Sequence, residues 1–259
     1  MNAQTDRFSL KGKTALITGA GSGFGAHFAG VLASAGAKVA CTARRKDRID
    51  AVVAGLKAKG AQAFGCTIDI SDRASINAAY DAVEKALGPV DILVNNAGQS
   101  APAPFPDMTE EQWASVLDVN LSGHFRMSQE MAKRAIAAGR RGGSIINVAS
   151  IMGMLAKPWF SNYGTTKAAL IQLTKHMAMD LLPHGIRVNA LAPGFFSTEM
   201  TAWYFETDAG KAEVAALPPG RLGRFDELDG PLLLLASDAS SYMNGAVIPV
   251  DYGHAVRLS

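Results

Sequence analysis

Tyr163 and Lys167 stand four residues apart in Asn162-Tyr163-Gly164-Thr165-Thr166-Lys167, and together they can do chemistry that neither does alone. An i, i+4 pair faces one side of a helix. A phenol has a free pKa of about 10, and a neighbouring ammonium favours the phenolate and brings that value down. Tyr163 then serves as an acid or a base. Ser150, thirteen residues upstream, offers a hydroxyl that can hold a carbonyl oxygen while negative charge builds on it. Read this way, the three residues move a proton on and off an oxygen. A bare Tyr-x-x-x-Lys is also an ordinary surface pair on a helix, so the rest of the chain decides between the two readings.

The elements that must position these residues begin near the N-terminus. Lys13 to Thr18 is a short apolar, β-branched run of strand type, Gly19-Ala20-Gly21-Ser22-Gly23-Phe24-Gly25 follows directly, and Ala26 to Ala35 reads as a helix ended by Gly36. Strand, glycine loop and helix together form a site where backbone amides and the helix dipole can hold a pyrophosphate. Alone, such a loop is also a plain turn. The second expected strand runs into Ala43 with no carboxylate and then into Arg44-Arg45-Lys46. A carboxylate there would repel a ribose 2′-phosphate, whereas guanidinium groups bind one through charge-assisted pairs, so NADP(H) is the expected cofactor. The competing reading makes Arg44, Arg45, Lys46 and Arg48 a solvated helix start, which the helix dipole disfavours unless an anion arrives.

Thr18-Gly19-x-x-x-Gly23-x-Gly25, Asn95-Asn96-Ala97-Gly98, Asn120, Ser150, Tyr163-x-x-x-Lys167 and Pro193-Gly194, in this order, resemble the short-chain dehydrogenase/reductase family in its branch of about 250 residues. The likeness runs from about Lys11 to about Gly253. It implies a nicotinamide cofactor and a catalytic tetrad of Asn120, Ser150, Tyr163 and Lys167. Cofactor contacts are then expected at Gly19, Ser22, Gly23, Phe24, Gly25, Arg44, Arg45, Asp69, Ile70, Asn96, Ala97, Gly98, Tyr163, Lys167, Pro193, Gly194, Phe196 and Thr198. By the same resemblance Lys167 also bonds the nicotinamide ribose, Asn120 holds a relay water, and Asp69 contacts adenine. Asp69 reads equally as the cap of a turn, and Asn120 as a buried asparagine serving backbone. Phe24 departs from the Ile or Leu of relatives and can crowd the cofactor pocket.

The chain of 259 residues is 48% hydrophobic with a net charge of +2, enough for one core and no electrostatic case for nucleic acid or an anionic membrane. No apolar run is long enough to span a bilayer, and Met1 to Leu10 carries Asp6 and Arg7 without an apolar leader, so a cytoplasmic protein is expected. Cys41 and Cys66 fall in expected strands without metal-site spacing and pack as small apolar groups; no metal is expected. Asn120-Leu121-Ser122 fits a glycosylation pattern by chance.

Strand and helix signals alternate, with strands expected near 13–18, 37–42, 62–68, 89–94, 143–148, 186–191 and 245–250. The fold class is therefore α/β, a single-domain Rossmann-type doubly wound sheet of about seven mostly parallel strands with helices on both faces, spanning 1–259. The glycine loop, Asp69, Asn95 to Gly98, Ser150 and Pro193-Gly194 each follow a strand, where such sheets bind ligands. Residues 195–224, otherwise irregular, are expected to form a substrate lid. Ser100, Ala101, Pro102, Ile151, Met152, Met154, Trp159, Phe160, Phe195, Phe196, Met200, Trp203, Tyr204 and Phe205 are candidates for the pocket wall, and equally for core or interface. The reading is an NADPH-dependent ketone or aldehyde reductase, equally the reverse alcohol dehydrogenase, with an apolar or aromatic substrate. The alternatives are a 3-oxoacyl thioester reductase docking a carrier protein through Lys133, Arg134, Arg140 and Arg141, though Met179-Asp180-Leu181-Leu182 lacks a basic residue, and an inactive dinucleotide-binding or scaffold protein. The resemblance implies a homotetramer or homodimer through helices near 111–138 and 161–183 and the last strand, with Phe125, Met127, Met131, Ala135 and Ile136 as a partner-facing set and an apolar tail from Asp251 to Leu258.

Overall fold

The computed structural model describes residues 7–257; Asp6 and the rest of the first six residues, with Leu258 at the end of the tail, lie outside them. Strands β1 (Thr14–Thr18), β2 (Lys38–Ala43), β3 (Ala63–Thr67), β4 (Ile92–Asn95), β5 (Gly143–Val148), β6 (Ile186–Pro193) and β7 (Val247–Val250) form one parallel sheet. Their spatial order is β3-β2-β1-β4-β5-β6-β7. The order reverses between β1 and β4, which opens a crevice at their carboxyl ends. β4 starts at Ile92, later than expected, because Pro89 has no N–H to give a ladder and the Asp91 carboxylate accepts from the Thr14 amide at 2.9 Å.

Helices cover both faces, which is why the central strands read as unbroken apolar runs. On one side α1 (Gly23–Ser34), α2 (Lys46–Ala58) and a later helix at Asp229–Ala236 pack Phe28, Leu32, Ile49 and Leu232 against Ile17, Val39 and Ile146. On the other side α3 (Arg73–Leu87), with helices at His124–Ala137 and Ser161–Asp180, packs Ile76, Tyr80, Met127 and Met177 against Leu16, Leu93 and Ile145. Leu16 and Ile17 point to opposite faces, as strand alternation requires.

The helix expected over 111–138 is broken. α4 (Glu110–Leu117) passes through a π-helical turn at Asp118–Gly123 into α5 (His124–Ala137), so the widened turn carries Asn120. α6 (Ser161–Asp180) ends before the expected 183, since Pro183 disfavours helical backbone at the residue before it and a short 3-10 turn, Leu182–His184, takes over. The 195–224 stretch is less irregular than expected: it contains α7 (Ala202–Phe205) and α8 (Asp208–Ala216), the latter capped by the Thr207 hydroxyl accepting from the Gly210 amide. Its two ends meet where the Gly223 amide donates to the Phe195 carbonyl at 2.9 Å. The last helix, α9 (Asp229–Ala236), follows. Among the described residues no helix is long and apolar enough to cross a membrane.

Candidate active site

A cleft of about 500 Å³ opens at the carboxyl ends of the strands. Into it the loop after β1 brings Gly19, Ser22, Gly23 and Phe24; the ends of β2 and β3 bring Arg44, Arg45, Asp69 and Ile70; and the loop after β4 brings Asn96, Ala97 and Gly98. Ser150 arrives from the end of β5, Tyr163 and Lys167 from α6, and Pro193, Gly194, Phe196 and Thr198 from beyond β6. Segments far apart in sequence therefore share one wall. Gly25 and Asn120 are not on it, although both are expected site residues.

Gly25 acts beneath the surface. A Cβ there would lie 2.3 Å from the Gly19 carbonyl, so only glycine lets α1 seat on the loop. Gly19 itself has φ +67, and a Cβ would approach the Ala97 Cα to 2.9 Å. The Thr18 hydroxyl ties the two loops together, accepting from the amides of Asn96 and Ala97, both at 3.0 Å. Ser22 at the start of α1 makes no side-chain cap, and the first turn holds no acidic residue. An uncapped helix start beside close-packed glycines fits a pyrophosphate. Phe24 does not simply crowd this space: its ring stacks on Phe28 and meets Phe196 and Phe225 at centroid distances of 5.3 and 5.1 Å.

At the opposite end β2 closes on Ala43, and Arg44 and Arg45 follow it into the cleft. Arg44 makes no ion pair among the described residues, and Arg45 donates to Glu199 at 3.2 Å. Asp69 lines the cleft, and its carboxylate accepts from the Ser71 amide at 2.9 Å, as the turn reading expects. The Ser71 hydroxyl and then its amide hold the Asp69 carboxyl below its ordinary range, with Arg44 adding to this. Asp72 is the residue that caps α3.

The proton-handling residues sit on the β5–α6 side. Ser150 caps a short turn, its hydroxyl accepting from the Met152 amide at 3.1 Å. Lys167 is 3% exposed, donates to the Val148 carbonyl at 2.8 Å, and burial brings its pKa down to about 8. Burial raises the Tyr163 phenol above its ordinary value, and the hydrogen bond from Ser150 partly opposes this. The expected lowering by Lys167 is not found: the ammonium is turned to the strand end, 5.5 Å from the centre of the tyrosine ring.

Asn120 is fully buried and holds backbone. Its Nδ2 donates to the Gln99 carbonyl and its Oδ1 accepts from the Gln99 amide, both at 2.8 Å. His124, four residues on, escaped the sequence reading: it is fully buried, its Nε2–H donates to the Ala97 carbonyl at 2.7 Å, and Nδ1 has no partner. Burial, then the charge of Lys167, pushes its pKa down to about 3, against the pull of the Ala97 bond.

Of the expected pocket wall, only Phe196 and Met200 line the cleft. Phe160, Phe195 and Tyr204 instead surround the Lys157 ammonium at 5.7, 5.1 and 4.9 Å from their ring centres. Glu213 completes that cage, accepting from Lys157 at 2.6 Å and from the Tyr204 hydroxyl at 2.5 Å, and thereby fastens α8 to the segment before α6. Trp159 and Trp203 are exposed. Gln99, Glu199 and Thr201 line the cleft without having been singled out. Glu199 and Thr201 flank Met200 directly after Thr198, and Gln99 directly follows Gly98, so adjacency to expected site residues put all three within reach.

A family model described as short chain dehydrogenase matches residues 13–209. The gluconate 5-dehydrogenase of Gluconobacter oxydans (strain 621H) is 38% identical over 254 residues, covering 98% of each chain. A 3-oxoacyl-acyl-carrier-protein reductase of Thermotoga maritima is 38% identical over 94% of this chain and 98% of its own. Among solved structures, a gluconate 5-dehydrogenase from Burkholderia cenocepacia J2315 in complex with NADP and tartrate superposes with a TM-score of 0.93 at 38% identity, covering 98% of this chain and 100% of that one.

Proposed function

The chain belongs to the short-chain dehydrogenase family, and from that premise we propose how its residues divide the work of an NADP(H)-dependent oxidoreductase that interconverts a ketone and an alcohol. The cofactor, when bound, supplies or accepts the hydride. Ser150 holds the substrate oxygen and Tyr163 gives it a proton; in the oxidative direction Tyr163 takes the proton back. Burial raises the Tyr163 phenol and so favours the protonated form that the reductive direction uses. Lys167 supplies positive charge next to it, and Asn120 positions the loop at Gln99 rather than touching substrate. The observation that carries this reading is the meeting of Ser150, Tyr163 and Lys167 in the same cleft as the glycine loop and Arg44.

For the rest of the substrate we favour a hydroxylated carbon chain. The polar Gln99 lines the same cleft as Ser150 and Tyr163, and gluconate-type relatives support the choice. An apolar or aryl ketone is the second reading, favoured by Met200 in the cleft and by Trp159 and Trp203 exposed outside it. The thioester reading weakens, because two of its four basic residues are already paired, Arg134 with Asp81, Glu84 and Glu130, and Arg140 with Asp91. Residues 195–224 act as the lid over this pocket, held by the Lys157 cage. A cytoplasmic setting suits the free thiols of Cys41 and Cys66. Of the expected partner-facing set Met127, Met131 and Ala135 are buried against the sheet, and a homotetramer is left to the exposed Phe125 and Ile136 on α5, with Met179 on α6. A panel of sugar acids, polyols, aryl ketones and acyl thioesters, read by nicotinamide absorbance with NADPH and NADH in parallel, tests the assignment. Turnover of none of them would overturn it.

A further inference from the structure

We infer that Glu199 is an internal competitor for the cofactor's 2′-phosphate and so sets the strength of NADP(H) selectivity. This rests on the reading of Arg44 and Arg45 as the phosphate site. Arg45 donates from Nη2 to one oxygen of Glu199 at 3.2 Å, and Arg48 from Nη1 to the other at 3.5 Å. The two guanidinium groups thus present to a carboxylate the paired geometry that a phosphate monoester takes equally well. All three side chains remain about half exposed, at 55% for Arg45, 49% for Arg48 and 50% for Glu199, so a solute anion can reach them. Glu199 lines the cofactor cleft with Ser22 and Arg45, and Arg45 first, then Ser22, holds its carboxyl below the ordinary range.

The consequence follows from charge. A 2′-phosphate that recruits Arg45 must displace the carboxylate or share the cation with it, and a fixed carboxylate beside the phosphate repels it. A ribose 2′-hydroxyl carries no such charge and leaves the pair undisturbed. Glu199 therefore costs NADP(H) binding and leaves NAD(H) binding nearly unchanged. Arg44, without an ion-pair partner among the described residues, makes the first contact, and Arg45 joins it only as Glu199 lets go.

Calorimetric titration of the full chain with NADPH, NADH and 2′,5′-ADP tests this without any substrate. Glu199→Gln is expected to tighten NADPH and 2′,5′-ADP by about two- to fivefold, the scale of one exposed ion pair, with NADH unchanged. In an Arg45→Ala/Arg48→Ala background the same substitution is expected to give no gain, because Glu199 then has neither Arg45 to compete for nor the two guanidinium groups that fix its carboxylate beside the phosphate. An equal gain for NADPH and NADH, no gain for either, or a gain that persists without the two arginines would overturn the inference while leaving the cofactor assignment intact. A wild-type protein that bound NADH as tightly as NADPH would instead sink the phosphate-site reading on which it rests.

Discussion

The Lys167 ammonium donates to the Val148 carbonyl at 2.8 Å, so the last residue of β5 and the middle of α6 are locked together. The same strand end delivers Ser150 two residues later, and the same helix face delivers Tyr163 one turn earlier. One hydrogen bond thus sets the spacing of all three groups. It also turns the lysine to backbone, and burial holds the Tyr163 phenol above its ordinary value.

Tyr163→Phe removes the proton donor and little of the cofactor contact. Turnover is expected to fall by at least about a hundredfold, the scale of general acid catalysis, with NADPH affinity within about twofold of wild type. Lys167→Ala is expected to damage both, because it frees the β5 end as well as removing the charge. Steady-state rates with NADPH titrations separate the two variants. Retention of most activity in Tyr163→Phe would return the residue to an ordinary helix surface.

Arg44→Ala is expected to weaken NADPH on the order of tenfold to a hundredfold, the loss of a charge-assisted contact, with NADH nearly unaffected. Dissociation constants for both nucleotides decide it. Equal losses would mark Arg44 as structural.

His124 makes the fold acid-sensitive. Its pKa is pushed down to about 3 from 6.5, so between those values the unfolded chain binds a proton that the folded chain refuses. Stability carried by neutral His124 is complete above pH 6.5 and falls by about 1.4 kcal/mol for each pH unit below it, until about pH 3. His124→Gln, which can still donate to the Ala97 carbonyl, is expected to flatten the wild-type loss between pH 6.5 and 5 by roughly 2 kcal/mol. Urea unfolding at the two pH values measures it, and parallel profiles for the two proteins would contradict it.

Two glycine-to-alanine changes are expected to act in opposite directions. Gly25→Ala drives a Cβ to 2.3 Å from the Gly19 carbonyl, so the loop must shift and NADPH binding is lost. Gly55→Ala, in α2 with nothing within 4 Å of the new atom, is expected to raise stability by about 0.5–1 kcal/mol. Thermal melts with and without NADPH distinguish the two effects.

The exposed Phe125, Ile136 and Met179 lead us to expect a homotetramer in solution. Light scattering coupled to gel filtration at micromolar concentration reads the mass directly. An active species of 27.2 kDa would leave those residues as surface.

Sequence alone determined the sheet and the cleft, since each rests on local signals. Apolar runs with glycine turns gave seven strands in order, and the residues that follow strand ends had to share one edge. The glycine spacing and the Tyr-Lys turn are likewise local, so Gly19, Ser150, Tyr163 and Lys167 were legible before any coordinates. Tertiary structure decided what depends on which side chain reaches which partner. Periodicity could not show that Asn120 sits in a widened turn and spends its amide on Gln99, or that Phe160, Phe195 and Tyr204 cage Lys157 instead of lining the cleft. Nor could it pair Arg45 with Glu199, which the chain separates by 154 residues and only the meeting of two loops brings to 3.2 Å. Burial works the same way: the shifts at Lys167 and His124 come from water excluded by elements distant in sequence, and no residue type or spacing encodes that.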